Sequence, residues 1–395
     1  MMMRVPLYDH ARIYRRRKAE IDAAILRVLD SGELDWGDEV PSFENEFAAF
    51  LGASHAVTTN SGTASLKIAL LALGIGCGDE VITVPNSDIG TVSAIHHVGA
   101  ASVWVDVEPG SMCMSFDAAR AAITPRTRAI LPVDLYGHPA ALFELRALAD
   151  ANGIALVEDA CLSLGARLGG RPIGTLAHVT CFSFSPSKHL GSIGSGGACV
   201  TADAALAERM RKIAAYGQDR ARHRAIGATP PPLHHETEGL NERMDEIQAA
   251  VLRVKLADVQ DSIAIRRGQA AMYASALDSI VEIPVELPAA RHAYRNYVIH
   301  VNARDRVRDE ITARSITTAL SYAPPLICSP SMRGRGARVA RFLWPSAQVI
   351  ACSACRSVRI LRMRRLPSSR ARCALRLPPQ SDERLLPHNQ KREIC

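Results

Sequence analysis

One lysine stands out among the residues that could do chemistry. Lys188 is the only charged residue in the segment FSFSPSKHLGSIGSGG, Phe182–Gly197, whose other members are mostly small, aromatic or hydroxylic. An apolar run precedes it and a glycine cluster follows it, which is unusual for a lysine that faces solvent. A lysine amine in such a place can form a Schiff base with a carbonyl group. The alternative is a surface lysine beside a turn.

Two further groups are predicted to lie near this lysine. Asp159 ends an apolar run, and Lys188 follows another such run. The stretch TTNSGTASLKIALLAL, Thr58–Leu73, places Gly62 and Thr63 just before an apolar helical pattern. Backbone amides and hydroxyls then gather at a helix N-terminus, where a phosphate is favoured. Taken alone, this pattern is more typical of an ordinary helix cap.

One kind of chemistry uses a lysine, a carboxylate and a phosphate site together, namely that of pyridoxal 5'-phosphate. The lysine forms the Schiff base, the carboxylate keeps the pyridine nitrogen protonated so that the ring accepts electrons, and the helix N-terminus binds the phosphate. The three features together therefore predict a binding site for this cofactor.

Alternating strand and helix patterns predict the elements that position these groups. Apolar, β-rich runs occupy residues 81–84, 101–107, 129–134, 155–159, 179–184 and 197–201, and helical patterns occupy residues 64–73, 140–151 and 204–214. Such alternation predicts an α/β fold with a mainly parallel sheet covered by helices on both faces. Parallel sheets bind ligands at the carboxyl ends of their strands, so Asp159 and Lys188 should face the same crevice.

Composition limits the class of protein. The chain has 395 residues, of which 48% are hydrophobic, so it can bury a sizeable core. No apolar run approaches the roughly 20 residues that span a bilayer, and the start MMMRVPLYDH lacks the apolar segment of a signal peptide. Cysteines scattered singly through the first 200 residues are typical of reduced thiols. We therefore expect a cytoplasmic protein without a membrane partner.

The net charge of +7 is concentrated at the end of the chain. From Cys328 to Cys395, fourteen arginines and one lysine against three acids carry +12, so the remainder carries −5. A mildly acidic body gives no reason to expect a nucleic-acid partner. Cys352 and Cys355 form a lone CxxC pair, and without a second pair we expect no metal site.

Four stretches resemble the DegT/DnrJ/EryC1/StrS family of sugar aminotransferases, which have the fold type I architecture of aspartate aminotransferase. They are NSGTASLKIALLALGIGCGDEVI, VEDACLSLGA, FSFSPSKHLGSIGSGGA and GLNERMDEIQAAVLRVKL, in the family's order. The resemblance runs from Val5 to about Pro325. It implies a large cofactor-binding domain over residues 1–256, whose segment 1–30 packs near the small domain, and the first part of a small α+β domain over residues 257–327.

The resemblance also assigns roles in a pyridoxal phosphate site. Lys188 is implied to be the Schiff-base lysine and the group that shuttles a proton between cofactor and amino-bearing carbon. Asp159 is implied to pair with the pyridine nitrogen. Ser183, Gly62 and Thr63 are implied to hold the phosphate.

Asn241 matches an asparagine that family members extend from the neighbouring subunit towards the phosphate. This implies a homodimer with composite active sites. Asp88 occupies the position where many members place an aromatic residue over the cofactor ring, and it is counted among the cofactor-binding residues. Leu162 stands where the family usually has a glutamine or histidine that bonds the cofactor's phenolic oxygen, so the tuning of the cofactor should differ here.

The end of the chain departs most from the family pattern. Beyond about Cys328, residues 328–395 are rich in arginine and contain five cysteines. This composition is typical of a shifted reading frame of GC-rich DNA, and we expect the native frame to be lost near residues 325–335. A small domain cut off there should be incomplete. The alternative is a genuine basic tail that binds an acidic partner.

The resemblance implies transfer of an amino group, from an amino-acid donor expected to be glutamate, to a keto carbon of a nucleotide-linked deoxysugar, in polysaccharide or antibiotic biosynthesis. The motif NERMDEIQAA, Asn241–Ala250, resembles members that act on 3-keto sugars slightly more than those that act on 4-keto sugars. Amination of a cyclitol is also open. A second class of function is a catalytically silent cofactor-binding or regulatory relative, which Leu162 and the tail leave open.

Overall fold

The computed structural model describes residues 5–219, 235–322, 326, 338–339 and 349–352. Its α-helices are α1 (His10–Arg16), α2 (Lys18–Ser31), α3 (Glu39–Leu51), α4 (Gly62–Ala72), α5 (Ile89–His97), α6 (Phe116–Ala122), α7 (Leu142–Ala151), α8 (Ala204–Ala214), α9 (Glu246–Leu256), α10 (Val259–Leu277) and α11 (Arg304–Thr312). Its strands are β1 (His55–Thr59), β2 (Glu80–Thr83), β3 (Ala101–Trp104), β4 (Thr127–Ile130), β5 (Ala155–Asp159), β6 (Arg167–Leu168), β7 (Arg171–Pro172), β8 (Val179–Ser183), β9 (Gly197–Thr201), β10 (Ala290–Arg291), β11 (Tyr297–His300), β12 (Arg338–Val339) and β13 (Val349–Cys352).

The main sheet has the strand order β1-β9-β8-β5-β4-β2-β3-β12. All neighbouring strands run parallel except β9, which is antiparallel to both β8 and β1. The expected α/β fold with a mainly parallel sheet is therefore confirmed.

Successive residues of each strand bury their side chains on opposite faces of this sheet, as the period of two in a strand requires. Val81 and Val157 pack with α4, α5 and α8 on one face, whereas Ile82 and Leu156 pack with α3, α6, α7 and α9 on the other. Because both faces are covered by helices, the strands read as continuous apolar runs in the sequence.

Phenylalanine rings fill the layer between the sheet and α3. Phe47 meets both Phe182 and Phe184 edge-on, with ring centroids 5.3 and 5.1 Å apart. Phe43 and Phe47 are fully buried. Each such ring contributes about 1.5–3 kcal/mol by leaving water, which anchors β8, the strand that leads to Lys188.

Between residues 257 and 322 the regular elements of the described chain are α10, β10, β11 and α11. The chain's first described residue joins this region, because Val5 N donates to Ser315 O at 2.9 Å and Thr317 N donates to Val5 O at 2.9 Å. The Arg17 guanidinium also pairs with Asp258, with nitrogen and oxygen 2.5 Å apart. The N-terminal segment thus contacts the chain just before α10, at Asp258, and just after α11, at Ser315 and Thr317.

Most of the arginine-rich segment 328–395 lies outside the described residues, and so does the expected loss of reading frame near residues 325–335. Two short pieces of the segment are described. β12 pairs in parallel with β3, and β13 pairs antiparallel with β11. In the described ranges, none of the helices combines the length and apolar character needed to cross a bilayer.

Candidate active site

Lys188 lies in a closed loop that follows β8. Its backbone N–H donates to Ser185 O at 2.8 Å. The loop turns back on itself, since the N–H and the hydroxyl of Ser192 both donate to Phe184 O at 2.8 Å. A Cβ atom on Gly191 would lie 2.4 Å from a proline carbonyl oxygen of the same loop, so only glycine allows this close return. The loop therefore presents a half-buried Lys188 from a fixed backbone.

The motif GLNERMDEIQAAVLRVKL braces this loop. Gln248 Oε1 in α9 accepts hydrogen bonds from Ile193 N at 3.2 Å and from Gly194 N at 3.0 Å. The Lys255 ammonium, at the end of α9, donates to Gly191 O. Two sequence motifs some sixty residues apart thus form one structural unit around Lys188, in which α9 fixes the glycine-rich part of the loop.

Asp159, at the end of β5, is 4% exposed and held by two donors. Thr91 Oγ1 donates to its Oδ2 at 2.7 Å, and Cys161 N donates to its Oδ1 at 3.2 Å. The Thr91 hydroxyl is itself 2.7 Å from Ser87 Oγ, which completes its hydrogen bonding. These bonds fix the orientation of the carboxylate.

The N-terminus of α4 is pressed against the same edge of the sheet. Ser61 caps the helix by accepting from Ala64 N at 3.1 Å, and the helix geometry leaves the first amides without intrahelical partners. A Cβ atom on Gly62 would lie 2.7 Å from Ser183 Cβ and 2.8 Å from Cys161 Sγ. Glycine at this position therefore brings the free amides next to the Ser183 hydroxyl.

A second helix begins beside the first. A Cβ atom on Gly90 would lie 2.5 Å from Thr63 Oγ1, so the start of α5 touches the start of α4. Asp88 caps α5 by accepting from Gly90 N at 2.9 Å and remains exposed. Two neighbouring helix N-termini create a positive potential that suits a phosphate group.

The Cys161 thiol shows that the predicted residues meet. Burial raises its pKa well above the ordinary value, Asp159 raises the pKa further, and the Lys188 ammonium lowers it. The same sulfur faces Gly62. The structure thus brings Lys188, Asp159, Gly62 and, through Gly62, Ser183 to one edge of the sheet. Among the residues that the structure describes, the Lys188 ammonium forms no hydrogen bond or salt bridge and is available for chemistry.

A pair of buried carboxyl groups lies behind Asp159. Asp134 accepts from Ala140 N and from Ser163 Oγ, both at 2.8 Å. Glu158 Oε2 accepts from Thr180 Oγ1 at 2.6 Å, while its Oε1 has no hydrogen-bond partner in the described ranges. Burial raises the pKa of Asp134 to about 6 and that of Glu158 well above its usual range. After burial, the neighbouring Asp134 carboxyl is the next cause that raises the pKa of Glu158.

Two predicted residues make no such contacts. Asn241 is exposed, and its backbone bridges Ala215 beside the start of α4, where Asn60 N donates to Glu242 O at 2.8 Å. Leu162 is buried in the core and supplies no hydrogen bond at the place where the family has a polar side chain.

The sequence reasoning missed several residues that adjoin the site. Tyr322 stacks on Tyr136 with ring centroids 5.9 Å apart. Burial raises the pKa of Tyr322, and the nearby Asp88 and Asp159 carboxylates raise it further. The only sequence signal for Tyr322 was its place in SYAPPL, which echoes a family motif. Thr91 gave no signal, because only folding brings it to Asp159.

The fold and this arrangement of lysine, buried carboxylate and helix N-termini define a pyridoxal-phosphate-dependent transferase of fold type I. The chain belongs to the DegT/DnrJ/EryC1/StrS aminotransferase family, whose model matches residues 15–355. It is therefore a pyridoxal-phosphate-dependent aminotransferase. The matched range continues past Cys328, where we expected the resemblance to end.

Relatives with known names agree with this class. The chain is 43% identical over 333 residues to a dTDP-3-amino-3,4,6-trideoxy-alpha-D-glucose transaminase of Streptomyces venezuelae, covering 84% of this chain and 85% of the relative. The crystal structure of S. venezuelae DesV in complex with a ketimine intermediate superposes with a TM-score of 0.81 at 40% identity, covering 89% of this chain and 93% of that one. Bacillus subtilis ntda, solved with bound cofactor PMP, gives a TM-score of 0.76 at 26% identity over 89% of this chain and 81% of that one.

Proposed function

We propose that this enzyme transfers an amino group from glutamate to the 3-keto carbon of a nucleotide-linked deoxysugar. The observation that carries the proposal is the convergence of Lys188, Asp159 and the α4 N-terminus at one edge of the parallel sheet. Two observations support the choice of carbon 3. One is the NERMDEIQAA motif, and the other is the similarity to a transaminase named for a sugar that bears its amino group at that carbon.

The residues at this edge fit the cofactor. The amides of Gly62 and Thr63 and the Ser183 hydroxyl would hold its phosphate, because Gly62 leaves a cradle that a Cβ atom would fill. Asp159 would hold the pyridine nitrogen protonated, and Asp88 would lie at the rim of the site. When bound, the cofactor supplies an electron sink that stabilises negative charge on the amino-bearing carbon.

Lys188 is proposed as the catalytic base in both halves of the reaction. Its amine would take the proton from the amino-bearing carbon of the donor and deliver a proton to the former keto carbon of the acceptor. His189 cannot substitute for it. The His189 Nε2–H donates to Ala293 O at 3.1 Å, and burial, together with Arg266 and Arg295, lowers the pKa of this imidazole well below its usual range.

The test is the Lys188→Ala variant, with Lys18→Ala on the exposed face of α2 as its matched control. With pyridoxal phosphate added, the wild type and the control should show the visible absorption of a lysine-linked cofactor and lose it on addition of glutamate. The Lys188→Ala variant should show neither change. If the visible band appeared in this variant at the same intensity, another amine would bind the cofactor and the assignment would be wrong.

We also propose that the enzyme is a homodimer in which Asn241 reaches the phosphate of the neighbouring subunit. The exposed position of Asn241 beside the α4 N-terminus supports this arrangement. The test mixes Lys188→Ala and Asn241→Ala subunits. A mixed dimer would then contain one intact site and should be more active than either parent. If Asn241 acted within its own subunit, mixing would restore nothing.

The substrate is tested with a panel of thymidine-, uridine- and guanosine-linked keto sugars and keto cyclitols, with products followed by mass. A 3-amino nucleotide sugar should form; a cyclitol product would replace the proposed acceptor.

The buried Leu162 favours a second candidate, a catalytically silent relative, because it supplies no hydrogen bond to the cofactor. That candidate predicts cofactor binding without any spectral response to glutamate.

Two further proposals concern the chain itself. Free thiols at Cys113, Cys181 and Cys199 in the described core support a cytoplasmic location, which cell fractionation would test.

The composition of residues 328–395 supports a lost reading frame. Resequencing the gene and translating its other two frames tests this proposal, because a family-like ending should appear in one of them.

A further inference from the structure

Arg295 is a buried arginine with two unsatisfied hydrogen-bond donors in the part of the chain that the structure describes. It is 2% exposed, and its Nε and Nη1 atoms are buried without a hydrogen-bond partner in the described part of the chain. A buried guanidinium normally has its donors satisfied, because removing a charge from water without a partner is costly. An anion that is brought by a ligand would satisfy these donors.

The structure holds this side chain in a defined place. Its guanidinium carbon lies 4.8 Å from the centre of the Tyr8 ring, a cation–π contact that fixes one face. The backbone around it is tied to the turn after β4, since Asn296 N donates to Tyr136 O at 3.2 Å and Ala293 N donates to Gly137 O at 2.8 Å. Packing against the Tyr8 ring and the backbone bonds of its neighbours thus hold the Arg295 guanidinium in place.

Arg295 borders the proposed catalytic site. A Cβ atom on Gly137 would lie 2.9 Å from Arg295 N and 3.1 Å from Leu162 O, so Arg295 is a neighbour of the loop that follows Asp159. Burial raises the pKa of Tyr322 and the charge of Arg295 opposes this rise, whereas burial, Arg266 and Arg295 all lower the pKa of His189, the residue next to Lys188. Arg295 therefore lies near the loop after Asp159 and near the residue that follows Lys188, because His189 Nε2 donates to Ala293 O at 3.1 Å.

We propose that Arg295 binds a carboxylate of the substrate. A carboxylate accepts charge-assisted hydrogen bonds from a guanidinium, and the Nε and Nη1 atoms of Arg295 are two such donors without a partner in the described residues. The proposal rests on the function proposed above. The carboxylate has two possible sources, the amino-acid donor and an acidic keto sugar, and the experiment separates them.

The test variants are Arg295→Gln and Arg295→Lys, and the exposed Arg291→Gln is the matched control. Arg295→Lys keeps the positive charge but loses the planar guanidinium. The first half-reaction is followed with glutamate, and the second with a neutral and with an acidic keto sugar. Removal of a hydrogen bond to a charged group lowers the affinity for the ligand roughly 10- to 100-fold. We expect such a rise in the KM for the carboxylate-bearing substrate with Arg295→Gln, a smaller rise with Arg295→Lys, and no change with Arg291→Gln.

The half-reaction that responds identifies the source, since a neutral substrate should be unaffected. Calorimetry with glutarate, an unreactive dicarboxylate, gives a readout independent of turnover. Arginine-dependent binding of glutarate by a protein without transaminase activity would support the carboxylate site while refuting the proposed function.

Equal KM values and equal glutarate affinity in Arg295→Gln and Arg291→Gln would overturn the proposal. A changed pH dependence of the cofactor's visible band, with unchanged substrate affinity, would also overturn it, because Arg295 would then serve the cofactor. Thermal unfolding of each variant checks its fold, and Arg295→Lys provides the measurement if Arg295→Gln does not fold.

Discussion

Replacement of Gly62 by alanine is expected to damage both packing and cofactor binding. The added methyl carbon would lie 2.7 Å from Ser183 Cβ, about 0.7 Å short of the 3.4 Å at which ordinary contact begins. Ser183 Cβ is attached directly to the backbone of β8, so it cannot rotate away as the end of a long side chain could. Either α4 or β8 must move.

The magnitude follows from a matched comparison with Gly268→Ala. Gly268 lies inside α10, where a Cβ atom would meet nothing within 4 Å, so alanine there should stabilise the helix by about 0.5–1 kcal/mol. Overpacking costs about 1–3 kcal/mol. Gly62→Ala should therefore be less stable than Gly268→Ala by at least about 1–3 kcal/mol. If displacement of the phosphate donors reduces the binding free energy of the cofactor by about 1.4 kcal/mol, its affinity falls tenfold.

The assay measures the unfolding temperature and the dissociation constant of pyridoxal phosphate for both variants. Adding Cys161→Ala to Gly62→Ala removes the 2.8 Å contact with sulfur and should restore part of the stability but not the cofactor affinity. If Gly62→Ala matched Gly268→Ala in both measurements, the close contact of α4 with β8 would not form the phosphate site, and the reasoning would be refuted.

Three further predictions concern the carboxylates. Asp159→Asn should fold and bind cofactor but lose at least tenfold in kcat, a loss of about 1.4 kcal/mol of transition-state stabilisation; turnover within threefold of the wild type would exclude the proposed role. Thr91→Val removes the donor to Asp159 and should lower stability by about 1–3 kcal/mol, measured against the exposed Thr312→Val. Because folding raises the pKa of Asp134 from 3.8 to about 6 and also raises that of Glu158, the wild type should lose stability as pH rises from about 4 through 6. Glu158→Gln should flatten this decline in unfolding temperature, whereas Glu80→Gln, which weakens the ion pair with Arg126, should not.

Strand and helix positions were largely predictable, because they depend on local periodicity. The helical pattern over residues 204–214 coincides with α8, and the apolar run over residues 155–159 coincides with β5. The run over residues 129–134 was predicted too long. β4 ends at Ile130, since Pro132 cannot donate to the ladder, and only an isolated bridge joins Val133 to Asp159 beyond it.

The sequence by itself determined the fold class and predicted which groups lie at the edge of the sheet where we propose catalysis. Apolar runs that alternate with helices require a covered parallel sheet, and such a sheet exposes the ends of its strands, where Asp159 and Lys188 lie. These conclusions need only the spacing of residues along the chain.

Only the tertiary structure decided how these groups are surrounded. Thr91 bonds Asp159 across 68 positions of sequence, Gly62 meets Ser183 across the helix–sheet contact, and burial together with Asp134, which follows the neighbouring strand β4, raises the pKa of Glu158. Among the described residues, the unsatisfied Nε and Nη1 donors of Arg295 arise because folding buries this side chain against the Tyr8 ring. Burial, hydrogen-bond satisfaction and pKa depend on distances between residues far apart in the chain, and those distances are set by packing.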